Sequence, residues 1–375
     1  MNRRTFLYLF ASILLVASIS CRFFHSTDGE SINIGTILGL TGEDAAYGKQ
    51  MQKGFEFALD EINSSGGVNS KKINLVVEDS QFNAPKAVSA YRKLTGAQGI
   101  KIFVGITGSK NALPVCQAAR SEDVVIIDAL TSAPKITQEC GDNYFRIMAS
   151  DALAGQYNTD WAIESGMKKP MIIYIEDDWG TSYRDALLLY LKQKGFGDVP
   201  AQGLTANNRD FRIQVEKVKA SAPDSIFLLL YAKDGASFMQ QLRQAGVKAV
   251  VYGSDNISSS EFLSAGSEVV EGVRVALPAP VTGPAFDEFT NKFKSKFGEA
   301  PDANVIKSYD AMNLAVSVIR QVGTEPSKIK SFLHSPSFQY QGVSGLIKFD
   351  EHGDLIHQEY SRLIYQSGQL LPANR

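Results

Sequence analysis

Ile102–Pro134, IFVGITGSKNALPVCQAARSEDVVIIDALTSAP, reads as strand, tight turn, helix, strand and tight turn. Ile102–Ile106 is a short apolar, β-branched run that stops at Thr107-Gly108-Ser109. Beyond Ser109 the apolar positions are Ala112, Val115, Cys116 and Ala119, whose 3.6-residue period predicts a helix. Val124–Ile127 is a second apolar run, ended by Asp128-Ala129-Leu130-Thr131-Ser132. Both strands thus end in small hydroxyl residues, and the first such end opens a helix. Helix N-termini carry unpaired N–H groups and a partial positive charge, which suits a carboxylate. Open α/β sheets bind ligands at the carboxyl ends of their strands. Ser109 and Thr131–Ser132, on adjacent loops, therefore predict a small polar cradle. Each of the three also has the plain reading of a helix N-cap.

The same rhythm extends outward in both directions. Ser31–Leu38 is a first strand, ended by Gly39-Leu40-Thr41-Gly42. A long helix follows, with Tyr47, Met51, Phe55, Ala58 and Ile62 on one stripe, stopped by Asn63–Gly67. Ile73–Glu78 is a strand, Ala84–Thr95 a helix, and Phe145–Met148 begins another strand before a helix over Asp151–Ser165. After residue 166 the alternation restarts. Strands are predicted at Met171–Ile175, Val199–Leu204, Ser225–Leu230, Val247–Tyr252 and Val270–Ala276. Helices are predicted at Trp179–Gln193, Arg209–Ala220, Gly235–Ala245 and Ser259–Ser264. Strands alternating with helices of this length imply parallel sheets covered on both faces, here two of them.

Leu277-Pro278-Ala279-Pro280 reads as a hinge, since prolines cannot extend a sheet interior. Helices at Ala285–Phe297, Asn304–Val322 and Pro326–Leu333 follow, then a hairpin around Gly345–Asp354 and a last strand at Arg362–Gln366. Crossings near 149, 278 and 357 would tie the two lobes with three segments, an arrangement that permits closure. The expected organisation is residues 31–149 plus 279–356 for the N-terminal lobe and 150–278 plus 357–372 for the C-terminal lobe.

The 375 residues are 44% hydrophobic and 21% charged, with net charge −2, which is an ordinary globular composition. No basic block interleaved with aromatics is present, which argues against nucleic acid as a partner. At the N-terminus, MNRR precedes an apolar run over Thr5–Ile19, shorter than the ~20 residues that span a bilayer. Residues 1–20 therefore read as a signal peptide. Ser18-Ile19-Ser20-Cys21 looks like a bacterial lipobox, in which Cys21 would be acylated and residues 21–30 would form a tether. The bland alternative is an uncleaved anchor helix. Either way the body lies outside the cytoplasm. Cys116 and Cys140 then remain as an even pair in an oxidising compartment, to be read as a bridge or as two separate thiols.

With those residues in hand, the chain resembles the type I periplasmic solute-binding proteins of the branched-chain amino-acid (Leu/Ile/Val) branch, the extracytoplasmic receptors of ABC importers. The resemblance covers residues 31–370. It rests on INIGTILGLTGEDAAYGKQMQKGFEFALDEINSSGGV, VEDSQFNAPKAV, GITGS, ALTSAP, IEDDWGTSYRDAL, MQQLRQAG and FDEHGDL, all in order. It implies two Rossmann-like lobes, a Venus flytrap, closing on a small-molecule ligand and then docking on membrane permease subunits. By resemblance, Ser109 and the N–H groups at its helix start take the ligand's α-carboxylate. Thr131 and Ser132 add an N–H and a hydroxyl, and the Leu130 carbonyl accepts from the ammonium. Asp255, where the family often has Glu, pairs with the ammonium from the second lobe. Tyr47 and Trp179 line the side-chain end, and Tyr231 is the nearest aromatic to a family aromatic position occupied here by Lys233 or Asp234. On the residues alone, Tyr47 is also readable as a helix staple, Trp179 as a capping aromatic and Asp255 as a turn residue.

No nucleophile elbow, phosphate loop or HExxH motif is present, so neither an enzyme nor a cofactor is expected. The four histidines lack metal-ligand spacing. The rival ligands are amides, urea, and aromatic or aliphatic carboxylates, and the rival role is that of a ligand-sensing receptor with the same fold.

Overall fold

The computed structural model describes residues 31–42, 45–356 and 358–373. The expected signal peptide, Cys21 and the tether lie outside the described residues. Its first sheet comprises β1 (Ile32–Leu38), β2 (Ile73–Asp79), β3 (Ile102–Ile106), β4 (Val125–Asp128) and β5 (Tyr144–Arg146). The order is β2-β1-β3-β4-β5, and every pairing is parallel. Helices α1 (Ala45–Ser64), α2 (Ala84–Arg92), α3 (Ser109–Ala119) and the short α4 (Ile136–Cys140) supply the crossovers.

Strand alternation decides which side chain meets which helix layer. Ile34, Leu38, Val104 and Ile127 pack with Met51, Phe55 and Ala58 of α1. The intervening Ile37, Phe103 and Ile126 face the opposite way, against Ala87 and Tyr91 of α2 and Val115 of α3. All are buried, and each large side chain contributes about 2 kcal/mol of hydrophobic stabilisation.

After α5 (Asp151–Glu164) the chain builds a second sheet. It comprises β6 (Pro170–Ile175), β7 (Ala201–Leu204), β8 (Ser225–Leu229), β9 (Val250–Gly253) and β10 (Arg274–Pro278), connected by α6 (Asp178–Gln193), α7 (Arg212–Ser221), α8 (Ala232–Gln244) and the short α9 (Ser260–Leu263) and α10 (Ser267–Val270). The chain then returns to the first sheet with α11 (Pro284–Phe297), α12 (Ala303–Val322) and α13 (Pro326–Leu333), followed by a small pair, β11 (Tyr340–Gly342) and β12 (Gly345–Ile347). It ends on the second sheet as β13 (Tyr360–Gln366) and β14 (Gln369–Pro372), giving the order β14-β13-β10-β9-β8-β6-β7 with an antiparallel edge. α12 completes the core over α1 through Ala311, Leu314, Ala315 and Val318. The two helices approach so closely that a Cβ on Gly54 would lie 2.4 Å from the Val305 carbonyl oxygen.

Three segments link the sheets. Lys307, buried on α12, donates from Nζ to the Ile147 carbonyl at 3.0 Å and so anchors the first crossing. The second and third crossings pair with each other, Ala279 N–H donating to the Glu359 carbonyl at 2.8 Å.

The structure corrects several sequence expectations. β10 begins at Arg274 rather than Val270, because the apolar run is interrupted by Gly272 at φ +75°, and Ser267–Val270 forms a helical turn. α8 begins at Ala232, three residues before Gly235; the glycine sits inside the helix, where a Cβ would lie 2.7 Å from Ile257. β14 lies beyond the last predicted strand. It is turned back by Ser367-Gly368 with φ of +51° and +76°, and that Ser-Gly dipeptide is its sequence signal.

Cys116 and Cys140 are joined in a disulfide, with their Cα atoms 4.6 Å apart. The bridge ties α3 to α4 across the loop that holds residues 128–135. Replacing both cysteines by serine should lower stability by about 3 kcal/mol, since the reduced unfolded chain regains the entropy of that loop. Denaturant unfolding of the double variant against the oxidised parent measures it; equal midpoints would show that the bridge contributes nothing.

Candidate ligand-binding cleft

The carboxyl ends of both sheets face one cleft, and the predicted cradle is one wall of it. Gly108 precedes α3 with φ +78°, and no side chain caps the helix start. Ser109 is buried in that first turn. Its hydroxyl oxygen accepts from the Ser132 N–H at 3.3 Å and the Ala133 N–H at 3.1 Å. With its oxygen so engaged, the Ser109 hydroxyl has its proton left to donate. Two loops predicted to be neighbours are thereby fastened through one serine.

The second loop is organised by Asp128, buried at the end of β4. Its Oδ1 accepts from the N–H groups of Ile106 (3.1 Å), Ala129 (2.6 Å) and Leu130 (3.3 Å). Its other oxygen accepts from the Thr131 hydroxyl at 2.6 Å and from the Tyr144 hydroxyl. Burial pushes its carboxyl pKa up, against those five donors.

Here the structure corrects the expected roles. The Thr131 hydroxyl is consumed by Asp128 and turned into the core, so it is no ligand donor. The Ser132 hydroxyl bonds to the Asp151 carboxylate instead. Among the described residues, the Thr131 N–H is the loop's uncommitted main-chain donor, since those of Ala129, Leu130, Ser132 and Ala133 are all taken.

The facing wall comes from the second sheet. Asp177 caps α6, accepting from the Gly180 N–H at 2.9 Å, and its second oxygen accepts from the Tyr231 hydroxyl at 2.7 Å. Gly180 lets the helix start press on β6, for a Cβ there would lie 2.2 Å from the Ile175 carbonyl oxygen. That placement brings Trp179 into the cleft, stacked on Tyr231 with ring centroids 5.0 Å apart. The Trp179 indole N–H donates to Asp151 at 2.7 Å. Asp255 follows β9 and lines the cleft beside Asn256.

Side-chain contacts among the described residues help to hold the walls together. The Tyr47 hydroxyl donates to Asn256 Oδ1 at 3.2 Å, Phe82 meets Tyr231 edge-on at 6.4 Å, and the Lys135 N–H donates to the Ser182 hydroxyl at 2.7 Å. Tyr47, Ser109, Leu130, Ser132, Trp179, Tyr231 and Asp255 are all brought to this one cleft. Phe82, Met148 and Asn256, which also line it, were not singled out from the sequence. Phe82 sits in a QFN turn whose only local signal is composition.

The electrostatics of the cleft and its surroundings are dominated by acidic groups. Asp151 opens α5 at the first crossing, its N–H donating to the Ser132 carbonyl at 2.8 Å. Burial together with the nearby Asp255 raises its pKa to about 7. Burial likewise raises that of Asp255, whose carboxylate accepts from the Asn256 N–H at 2.9 Å. Among the described residues no group of acidic residues, histidines or cysteines is arranged to hold a metal ion.

Two parallel α/β sheets joined by three segments, with a polar and aromatic cleft at the strand ends of both, define a two-lobed solute-binding protein. The chain belongs to the periplasmic binding protein family, whose model matches residues 31–362. Over 369 residues it is 26% identical to the Leu/Ile/Val-binding protein homolog 3 of Brucella melitensis, covering 97% of this chain and 99% of that one. Its fold is also that of a leucine-binding protein from Thermotoga maritima, with TM-score 0.82 at 22% identity over 92% of this chain and 98% of the other. A Rhodopseudomonas palustris solute-binding protein solved with benzoate superposes with TM-score 0.79 at 17% identity, covering 92% and 95% of the two chains.

Proposed function

We propose that this chain is the extracytoplasmic substrate-binding lipoprotein of an ABC importer, anchored through Cys21, and that it captures a branched-chain or related amino acid as its lobes close. The lobes are taken as residues 31–149 with 279–356 and residues 150–278 with 357–372. The observation that carries the reading is the polarity of the cleft. One end offers the Ser109 hydroxyl proton at an uncapped helix start. The other offers the Asp255 carboxylate, and Leu130, Met148, Trp179 and Tyr231 line the space with apolar surface. A zwitterion with an apolar side chain matches that order of groups. Charge-assisted hydrogen bonds in a desolvated site supply the affinity.

A thermal-shift panel tests the reading: leucine, isoleucine and valine should each raise the melting temperature. A response confined to amides, urea or benzoate would sink it. Aromatic carboxylates form the second reading, favoured by the stacked Trp179–Tyr231 wall. Asp255→Asn separates the two. It should weaken amino-acid binding by about 2 kcal/mol, the scale of a hydrogen bond to a charged group, and leave a plain carboxylate unaffected. Equal calorimetric losses for both ligand classes would remove Asp255 from the ammonium site. Mass spectrometry of the mature N-terminus checks acylation of Cys21.

A further inference from the structure

Phe82 has a backbone conformation that bulky residues rarely adopt, and the turn that enforces it places the ring in the cleft. Gln81 and Phe82 have φ of +53° and +52°. Such a pair persists only where its surroundings over-determine it. Here they do. The Gln81 N–H donates to Asp79 Oδ1 at 2.8 Å, the Ser80 N–H to the Leu38 carbonyl at 2.7 Å and the Asn83 N–H to the Ser80 carbonyl at 2.9 Å. Asp79 Oδ1 also accepts from the Leu40 N–H at 2.9 Å, which joins this turn to the loop after β1. The Phe82 ring is 7% exposed and lines the cleft with Gly108, Ser109 and Tyr231. Three groups bear on it. A Cβ on Gly108 would lie 2.7 Å from its Cε2, so the ring lies against the residue before Ser109. The Lys110 ammonium stands over it, 4.8 Å from the centroid. From the opposite wall Tyr231 meets it edge-on at 6.4 Å, and Tyr231 is itself stacked on Trp179.

We propose that Phe82 is the size filter of this cleft: together with Tyr231 it limits the bulk that a ligand can carry next to its carboxylate. This rests on the reading of the cleft as a site for a carboxylate gripped at Ser109, and adds a residue that sets which members of a ligand class are accepted. A ring packed between the start of α3 and Tyr231 has little room to turn aside, because interiors are close-packed and side chains sit in rotamer minima. The space it fills is therefore denied to the ligand. Tyr231 follows β8 of the second sheet, so the limit is imposed only as the walls meet. A ligand too bulky for it holds the walls apart and forfeits the contacts of the second one. Branched aliphatic amino acids are the ligands such a wall favours, and large aromatic ones are those it excludes.

Calorimetry on the mature protein with two size series tests it: valine, leucine and phenylalanine, then benzoate and naphthoate. The parent should prefer leucine to phenylalanine. Phe82→Ala should move the affinity ratio about tenfold toward phenylalanine, the scale on which apolar pockets discriminate by volume. Phe82→Leu should move it in the same direction by less, and melting curves show that each variant is folded. Where Phe82→Ala does not fold, Phe82→Leu decides. Tyr231→Leu should also move the ratio, and adding it to Phe82→Leu should give less than the sum of the two changes, because the two rings form one limit. A Phe82 that served only the fold would weaken every ligand alike. Equal losses across the series in the Phe82 variants, or a parent that binds phenylalanine as tightly as leucine, therefore overturn the filter while the amino-acid reading stands. If no amino acid binds but benzoate does, the amino-acid reading fails, and the naphthoate-to-benzoate ratio in the same variants decides the filter. If neither series binds, both are refuted.

Discussion

Replacing Ser109 by alanine should weaken amino-acid binding by about 2–3 kcal/mol, a loss of roughly 30- to 150-fold in Kd. Two losses combine. The ligand's carboxylate forfeits the hydroxyl proton, and the N–H groups of Ser132 and Ala133 forfeit the oxygen they share. The second loss loosens the loop that carries Leu130 and Thr131. Because Ser109 is 5% exposed, water cannot readily replace the missing oxygen. Calorimetry with leucine on the variant and the parent gives the number, and thermal melting shows how much of it is loop stability. Unchanged affinity would take Ser109 out of the site.

Arg146→Met should cost about 3–5 kcal/mol of folding stability, the usual result of breaking a buried ion pair from one side. The Arg146 side chain is fully buried, bonding Asp354 through Nε at 2.5 Å and Nη2 at 2.9 Å. Nη1 donates to the Ala133 carbonyl at 2.8 Å. One side chain thus joins the end of β5, the turn at residues 350–354 and the cradle loop. Methionine fills much of the space but leaves Asp354 facing a gap without its cation. Urea unfolding should show the loss in the midpoint at an unchanged slope. A double variant that adds Asp354→Asn should recover part of it, and a loss below about 1 kcal/mol would mean that the pair contributes little beyond its solvation cost.

Local rules served the sequence reading best where the backbone does the work. The turn at Thr107-Gly108-Ser109 must end a strand and start a helix whatever surrounds it, because the apolar period changes there from two to 3.6. The start of α3 follows from that alone, whereas its lack of a side-chain cap is decided by Gly108 standing at the cap position in the fold. The hydroxyls were a different matter. Ser109, Thr131 and Ser132 are equal candidates in sequence, and the structure divides them among the cleft, Asp128 and Asp151. A hydroxyl turns toward whichever buried acceptor is in reach, and those acceptors lie in other elements. Phe82 was illegible for the same reason: its turn has no period, and only the return of α8 with Tyr231 makes it a wall. The Val270 boundary failed because an apolar run does not say where a glycine will break it.

What the sequence by itself determined is the alternation of strands and helices, the two sheets, the three crossings between them and the serine at the helix start. All are set by chemistry within a few residues. What only the tertiary structure decided is the meeting of Tyr47 with Asn256 and of Arg146 with Asp354. Each pair is more than a hundred positions apart in the chain. The Arg146 charge matters because packing has buried it, and desolvation is a property of the assembled lobes that no local stretch can encode.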